Sequence, residues 1–188
     1  MNKGSIFIIS GPSGSGKSTI LDAVFTAFPE MFFSISATTR QPRNGEIDGV
    51  DYHFISKEQF SEMIDDNAFL EHAEYVGNFY GTPAKPVFDH VENGKDVIIE
   101  VEVQGYDQLR KKLPEATSIF IMPPSLEELE NRLRGRFTES EEKIKGRLAK
   151  AASEIEFSKY YDEIVVNDVL SQATEKVIDI IKSKHIYE

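Results

Sequence analysis

The sequence predicts an α/β fold in which a parallel sheet core is flanked by helices, and three observations carry that prediction. Strand-like and helix-like apolar patterns alternate along the chain, the texture of a parallel sheet covered on both faces. The run Ile6-Phe7-Ile8-Ile9 leads directly into Gly11-Pro12-Ser13-Gly14-Ser15-Gly16-Lys17-Ser18, which has the pattern G-x-x-x-x-G-K-[ST] in the strand-turn-helix setting that motif requires. Val97-Ile98-Ile99 is wholly apolar, as a strand buried on both faces is. The expected architecture is therefore a P-loop NTPase-type core.

The strands read from the N-terminus onward are 5–10, 96–103, 117–122 and 163–166. Helices are expected over 17–28, ended by Pro29; over 125–134, opened by Ser125 with Glu128 completing a capping box; and over 170–184, with Val177, Ile178 and Ile181 on its apolar face. From about 34 to 83 the texture changes. Short strand-like runs at 52–55, 70–75 and 78–82 surround one helix opened by Ser56, with Phe60, Met63 and Ile64 on one side, and this segment reads as an inserted subdomain. Residues from about 127 to 158 are charged and helical, with a break at 135–139, and read as a solvated lid. The core is left with about 1–33, 84–126 and 159–188, all within one domain.

Composition narrows the function classes. A net charge of −11 disfavours non-specific binding to nucleic acid or to an anionic membrane, so an anionic substrate has to be caught by local cations. The absence of cysteine excludes disulfides and thiolate metal sites and suits a cytoplasmic location. The N-terminal apolar run is too short for a signal-peptide core, and no stretch reaches membrane-spanning length. The four histidines lack metal-ligand spacing and read as surface or core residues, and no obligate protein partner is inferred.

A glycine-rich turn entering a helix points consecutive backbone N–H groups inward, and the helix N-terminus adds partial positive charge, so residues Gly11 through Thr19 are expected to cradle a nucleoside triphosphate. Lys17 would reach the β- and γ-phosphates and the Ser18 hydroxyl would help to hold Mg²⁺. Farther along, Arg40 and Arg43 flank Pro42. They are able to fork onto one phosphate, and equally are able to be solvated loop charges. Glu100 and Glu102 stand two apart near the C-terminal end of an apolar strand, the end at which open α/β sheets bind ligands; outward, half-exposed glutamates are the alternative. Arg132 and Arg136 are four apart on one helix face, with Arg147 one helix later, either as solvated charges or as cations that arrive on lid closure.

The ordered set Ser36–Arg43, Asp51-Tyr52, Glu71, Asn78-Phe79-Tyr80-Gly81, Gln104-Gly105 and Pro123-Pro124-Ser125 resembles guanylate kinase over nearly the full chain. The resemblance implies a core, a GMP-binding insertion and a helical lid that close over ATP and GMP, with transfer of the γ-phosphoryl group of MgATP to GMP. It implies that Arg40, Arg43, Tyr52 and Tyr80 hold the acceptor phosphate and that Ser36 and Thr82 bond the base. It also implies that Arg132, Arg136 and Arg147, with Lys17 and Arg40, act on the transferring group, and that Asn167 contacts adenine or its loop. Glu100 is implied near metal and phosphates, and Glu102 near the guanine amino group or a phosphate-binding arginine. Phe137 departs from the family pattern, which often has glycine there.

Base choice is expected at Glu71. Guanine offers N1–H and N2–H₂ side by side, and a carboxylate can accept from both, whereas adenine has an unprotonated N1 there. A site built this way discriminates by roughly 10⁴ or more. Without the family pattern Glu71 would read as a solvated strand carboxylate. Two rivals remain at this level: a kinase for another small phosphorylated acceptor such as a ribose phosphate, and a guanylate-kinase-like module that binds phosphorylated peptides without catalysis. Glu71 argues against the first and Lys17-Ser18 against the second.

Overall fold

The computed structural model describes residues 3–135 and 140–184. In chain order the elements are β1 (Ile6–Ser10), α1 (Lys17–Ala27), β2 (Phe32–Phe33), β3 (Ala37–Thr38), β4 (His53–Phe54), α2 (Lys57–Asp65), β5 (Phe69–Tyr75), β6 (Asn78–Pro83), α3 (Ala84–Glu92), β7 (Val97–Glu100), α4 (Val103–Lys112), β8 (Thr117–Met122), α5 (Leu126–Arg134), α6 (Glu141–Phe157), β9 (Glu163–Val166) and α7 (Leu170–Lys184). The strands form a five-stranded sheet, β2-β7-β1-β8-β9, and a four-stranded sheet, β4-β3-β6-β5. In the larger sheet β2–β7, β1–β8 and β8–β9 all pair in parallel. By compactness the chain divides into one unit of Met1–Ile6 with Met31–Ala116 and another of Phe7–Glu30 with Thr117–Glu188.

The unit that carries the glycine-rich turn is built on apolar strands buried on both faces. Phe7, Ile9, Ile119, Phe120 and Ile121 are fully buried, which is why these segments read as continuous apolar runs rather than alternating ones. Helix α1 buries Ile20, Leu21 and Val24 and packs on α7, which buries Ala173, Val177, Ile180 and Ile181. The apolar face of α7 is thus centred on Ile180 as well as on the expected Val177 and Ile181. Helices α5 and α6 pack together around Leu129, Leu133 and Ala151, with Leu148 against them. The segment expected to be a solvated arm therefore has a small core of its own.

In the other unit β3 runs parallel to β4 and antiparallel to β6, and β5 and β6 form a hairpin whose turn holds Val76 and Gly77 at positive φ. Phe60 lies under this sheet between Phe69 and Phe79, at ring distances of 4.4 and 5.5 Å, with Met63 and Ile64 beside it. Helix α2 starts with a complete capping box, the Ser56 side chain accepting from Gln59 N–H and the Gln59 side chain accepting from Ser56 N–H.

Four expectations need correction. The strand expected over 96–103 ends at Glu100, because the Glu102 carbonyl accepts from the N–H groups of Gly105 and Tyr106 and opens α4. Glu100 and Glu102 therefore do not share a strand face. Helix α1 stops at Ala27, one residue early, with Phe28 as its C-cap. The strand expected over 52–55 shrinks to His53–Phe54, and Tyr52 instead bridges to Asp48. At α5 the Ser125 hydroxyl accepts from Glu128 N–H as expected, but the Glu128 carboxylate turns to Arg132.

Replacing Ser56 with Ala removes one half of the α2 capping box and should cost about 1 kcal/mol. Thermal unfolding should show this as a midpoint lowered by roughly 2–4 °C.

Candidate functional site

Each glycine of the turn between β1 and α1 is demanded by its surroundings. Gly11, Gly14 and Gly16 have φ values of 150°, 92° and 92°, backbone that side chains rarely adopt. A Cβ on Gly11 would lie 2.2 Å from the Ile121 carbonyl oxygen, and one on Gly16 would lie 2.2 Å from Asn167 Nδ2. On Gly14 it would meet Leu129 and Leu133 at 3.0 and 3.1 Å. The turn is closed by a bond from Ser15 N–H to the Pro12 carbonyl. Gly16, in the left-handed conformation, is the N-cap of α1, so Lys17, Ser18 and Thr19 form the first helical turn, where backbone N–H groups and the helix dipole favour an anion.

The cations expected around this turn are held by the protein itself. Lys17 Nζ donates to the carbonyls of Gly11 at 2.7 Å and Pro12 at 3.5 Å, which stretches the ammonium back along the loop. Arg147, on α6, donates to the Ser13 hydroxyl. Arg132, on α5, donates from Nε to Glu128 at 2.9 Å and from Nη2 to the Asn167 carbonyl at 3.0 Å. Arg134, for which the sequence suggested no role, bonds Glu130 and Glu141 and so links α5 to α6. Arg136 lies outside the described residues.

Asn167 is buried and donates from Nδ2 to the Ser15 carbonyl at 2.8 Å. Its own N–H donates to Met122. It thus ties the glycine-rich turn to the end of β9.

The residues expected to hold the second nucleotide all fall within the other unit. Ser36 precedes β3, Arg40 and Arg43 follow it, Tyr52 precedes β4, Glu71 sits on β5, Tyr80 and Thr82 on β6, and Glu100 ends β7. Glu102 is the exposed N-cap of α4. Arg40 is gripped by Glu46: Nη1 and Nη2 each donate to one carboxylate oxygen at 2.9 Å. The same carboxylate accepts from Arg43 N–H at 2.6 Å. The guanidinium lies 5.4 Å from the Tyr52 ring and 5.7 Å from the Phe54 ring, within cation–π range, and the Tyr52 and Tyr80 rings meet edge to face. Burial pushes the Tyr52 hydroxyl above its ordinary range, so it stays a proton donor at neutral pH.

Glu46 is the residue that sequence reasoning passed over. The signal was its place three after Arg43 and six after Arg40 in a loop rich in turn formers.

Glu71 is not solvated. Its side chain is buried, and the Thr82 hydroxyl donates to its Oε1 at 2.7 Å. Burial raises its carboxyl above the ordinary range, while the bond from Thr82 and the charge of Lys112 oppose that rise. On the acceptor side Gly81 leaves no room for a side chain, since a Cβ there would stand 2.9 Å from the Phe69 ring and 3.0 Å from the Glu71 carbonyl.

This arrangement accords with the comparisons with known proteins. A family model described as guanylate kinase matches residues 3–184. A guanylate kinase of Oceanobacillus iheyensis is 50% identical over 184 residues, covering 98% of this chain and 89% of that protein. A crystal structure of guanylate kinase from Anaplasma phagocytophilum superposes with a TM-score of 0.77 at 32% identity, covering 99% of this chain and 88% of that one. TT1252 from Thermus thermophilus, at 15% identity and a TM-score of 0.51, shares the fold.

The bond from Arg40 lowers the Glu46 carboxyl from 4.5 to about 2. A depressed carboxyl stabilises the folded loop above the ordinary range and loses that contribution as pH falls through the window from 4.5 to about 2. Carbon-13 NMR should find Glu46 still ionised at pH 3.5, and Arg40→Ala should return its midpoint toward the ordinary carboxyl range.

Proposed function

The chain belongs to the guanylate kinase family, and we propose that it transfers the γ-phosphoryl group of ATP, with Mg²⁺, to GMP, giving ADP and GDP. The observation that carries this reading is the buried carboxylate of Glu71 held by Thr82 in the same unit as the Arg40, Arg43, Tyr52 and Tyr80 cluster. A buried acceptor flanked by cations and phenols suits a ligand with paired N–H donors at one end and a phosphate at the other. A ribose phosphate offers no paired N–H donors and would leave Glu71 with no ligand bond beside the one from Thr82.

The residues divide into two roles. In the first unit Glu71 accepts from guanine N1–H and N2–H₂, with Ser36 and Thr82 as further base contacts, and Arg40, Arg43, Tyr52 and Tyr80 saturate the phosphate oxygens. Glu100 and Glu102 belong to this group. The electrostatic influence of Glu100 reaches the Tyr52 hydroxyl. In the second unit Gly11–Thr19 wrap the triphosphate with backbone N–H groups, Lys17 leaves the Gly11 carbonyl for the phosphates, and Asn167 keeps the loop in shape. Arg132, Arg136 and Arg147 supply positive charge to the transferring group as its negative charge spreads in the transition state. The acceptor oxygen is already ionised at neutral pH, so positioning and charge neutralisation, rather than a general base, supply the rate.

The donor set fits Mg²⁺. Ser18 is exposed in the first turn of α1, and a hard cation bound largely through phosphate oxygens and water needs little more than one such hydroxyl from the protein. Bound there, the ion would neutralise charge on the phosphates.

The reading takes residues 34–83 as the GMP-binding insertion, supported by a separate sheet and aromatic core, and 127–158 as the lid, supported by the packing of α5 on α6 around Leu129, Leu133 and Ala151. No helix among the described residues is long and apolar enough to cross a membrane. The cytoplasm, where ATP and GMP are both supplied, is the proposed location.

A coupled ADP-release assay with MgATP against GMP, dGMP, AMP, UMP, dTMP and ribose phosphates tests the reading. Turnover with GMP and none with AMP is expected; silence across the panel with ATP still bound would move the chain to another acceptor or to the phosphopeptide-binding class. In the same assay Lys17→Ala should lower kcat by at least about a hundredfold while GMP still binds by calorimetry. Retained turnover would remove Lys17 from its role.

A further inference from the structure

Helix α4 contains a glycine that helix propensity opposes. Gly105 is the third residue of α4, its φ is not in the left-handed region, and alanine is the better helix former there. What excludes a side chain is Glu71 on β5 together with Val101, just past the end of β7. A Cβ on Gly105 would stand 2.5 Å from Glu71 Oε2 and 2.5 Å from Val101 Cγ2. The carboxylate expected to read the base thus rests against the Gly105 backbone on one oxygen while Thr82 holds the other at 2.7 Å.

The same helix face continues the contact. Gly105, Gln108 and Lys112 fall at helical positions i, i+3 and i+7, on one side of α4. Gln108 meets the backbone of His72 with both ends of its amide, accepting from His72 N–H at 3.3 Å and donating to its carbonyl at 2.8 Å. Lys112 donates to the Phe69 carbonyl at 2.9 Å. β5 is the edge strand of the four-stranded sheet, and these side chains occupy backbone groups that no neighbouring strand takes. Glu71 lies between the two clamped residues.

We infer that Gly105 is a specificity-determining residue: its missing side chain makes the recess in which the Glu71 carboxylate sits, and the α4 face of Gly105, Gln108 and Lys112 positions β5 for guanine recognition. This rests on the reading of Glu71 as the base acceptor. A methyl group at 105 would push against the end of the Glu71 side chain and a valine methyl, not against backbone. It would displace the carboxylate and leave the fold in place.

The test is a kinetic cycle of wild type, Gly105→Ala, Glu71→Gln and the double variant, with thermal unfolding as the check of folding. Gly105→Ala should raise the KM for GMP about tenfold or more, narrow the preference for GMP over AMP, and leave the KM for ATP within about twofold. In the Glu71→Gln background the same substitution should add less than about twofold, because the group it acts through is already compromised. A KM for GMP that Glu71→Gln leaves unchanged would defeat the base-reading role itself. A response to Glu71→Gln but none to Gly105→Ala, or fully additive effects, would overturn the inference alone. Should Gly105→Ala fail to fold, Gln108→Ala carries the test: a several-fold rise in the KM for GMP at unchanged kcat supports the α4 face as the positioning element, and an unchanged KM overturns it.

Discussion

A carboxylate withdrawn from water has to be surrounded by groups that favour its charge or it takes up a proton, and the burial of Glu71 sets this demand on one half of the protein. Thr82 meets part of it from β6, and Lys112, whose ammonium donates to the Phe69 carbonyl, adds a favourable positive charge from α4. The donors of a guanine base would meet the rest. On the proposed reading, selectivity comes from the match between this carboxylate and the adjacent N–H groups of guanine.

The other unit applies the opposite strategy. Around Gly11–Ser18 the groups proposed to bind the triphosphate are mostly backbone N–H, and side chains are excluded by close neighbours: at Gly11 and Gly16 a Cβ would overlap neighbouring atoms at 2.2 Å. Lys17 and Arg147 both rest on atoms of this loop. Arg132 is held through Glu128 and the Asn167 carbonyl. In the first unit Arg40 is likewise held by Glu46. Cations that are ordered before the phosphates arrive lose less side-chain entropy on binding them, at the expense of exchanging one acceptor for another. With a net charge of −11 over the chain, the proposed reading needs such local positive groups to receive a polyanion.

Much of this was legible in the sequence, for identifiable reasons. The strands 117–122 and 163–166 and the helix 170–184 agree with the observed elements because apolar runs and helical periodicity mark them strongly. The glycine-rich turn was legible because its chemistry depends on backbone, and backbone conformation is what glycine reports. The strand starting near 96 was read too far because Val101 and Val103 continue a β-like alternation that the N-cap at Glu102 interrupts. Helices α3 and α4 escaped notice. The first holds a proline in its opening turn, and the second has polar or charged residues over much of its length with a glycine where its buried face begins. Gly105 was visible as a letter of a motif and Glu46 was passed over, and the work of both depends on partners 34 and six positions away, contacts that only the folded chain brings together.

The central claim is that a buried carboxylate on β5 reads the base. Calorimetric titration of the chain without ATP, using GMP, IMP and AMP in turn, tests it most directly, because the three ligands share a ribose phosphate and differ in the donors they offer to Glu71. GMP should bind tightest, IMP, which keeps N1–H and lacks the amino group, should bind more weakly, and AMP should give no measurable heat. Equal affinity for GMP and AMP would contradict the account and place base recognition away from Glu71.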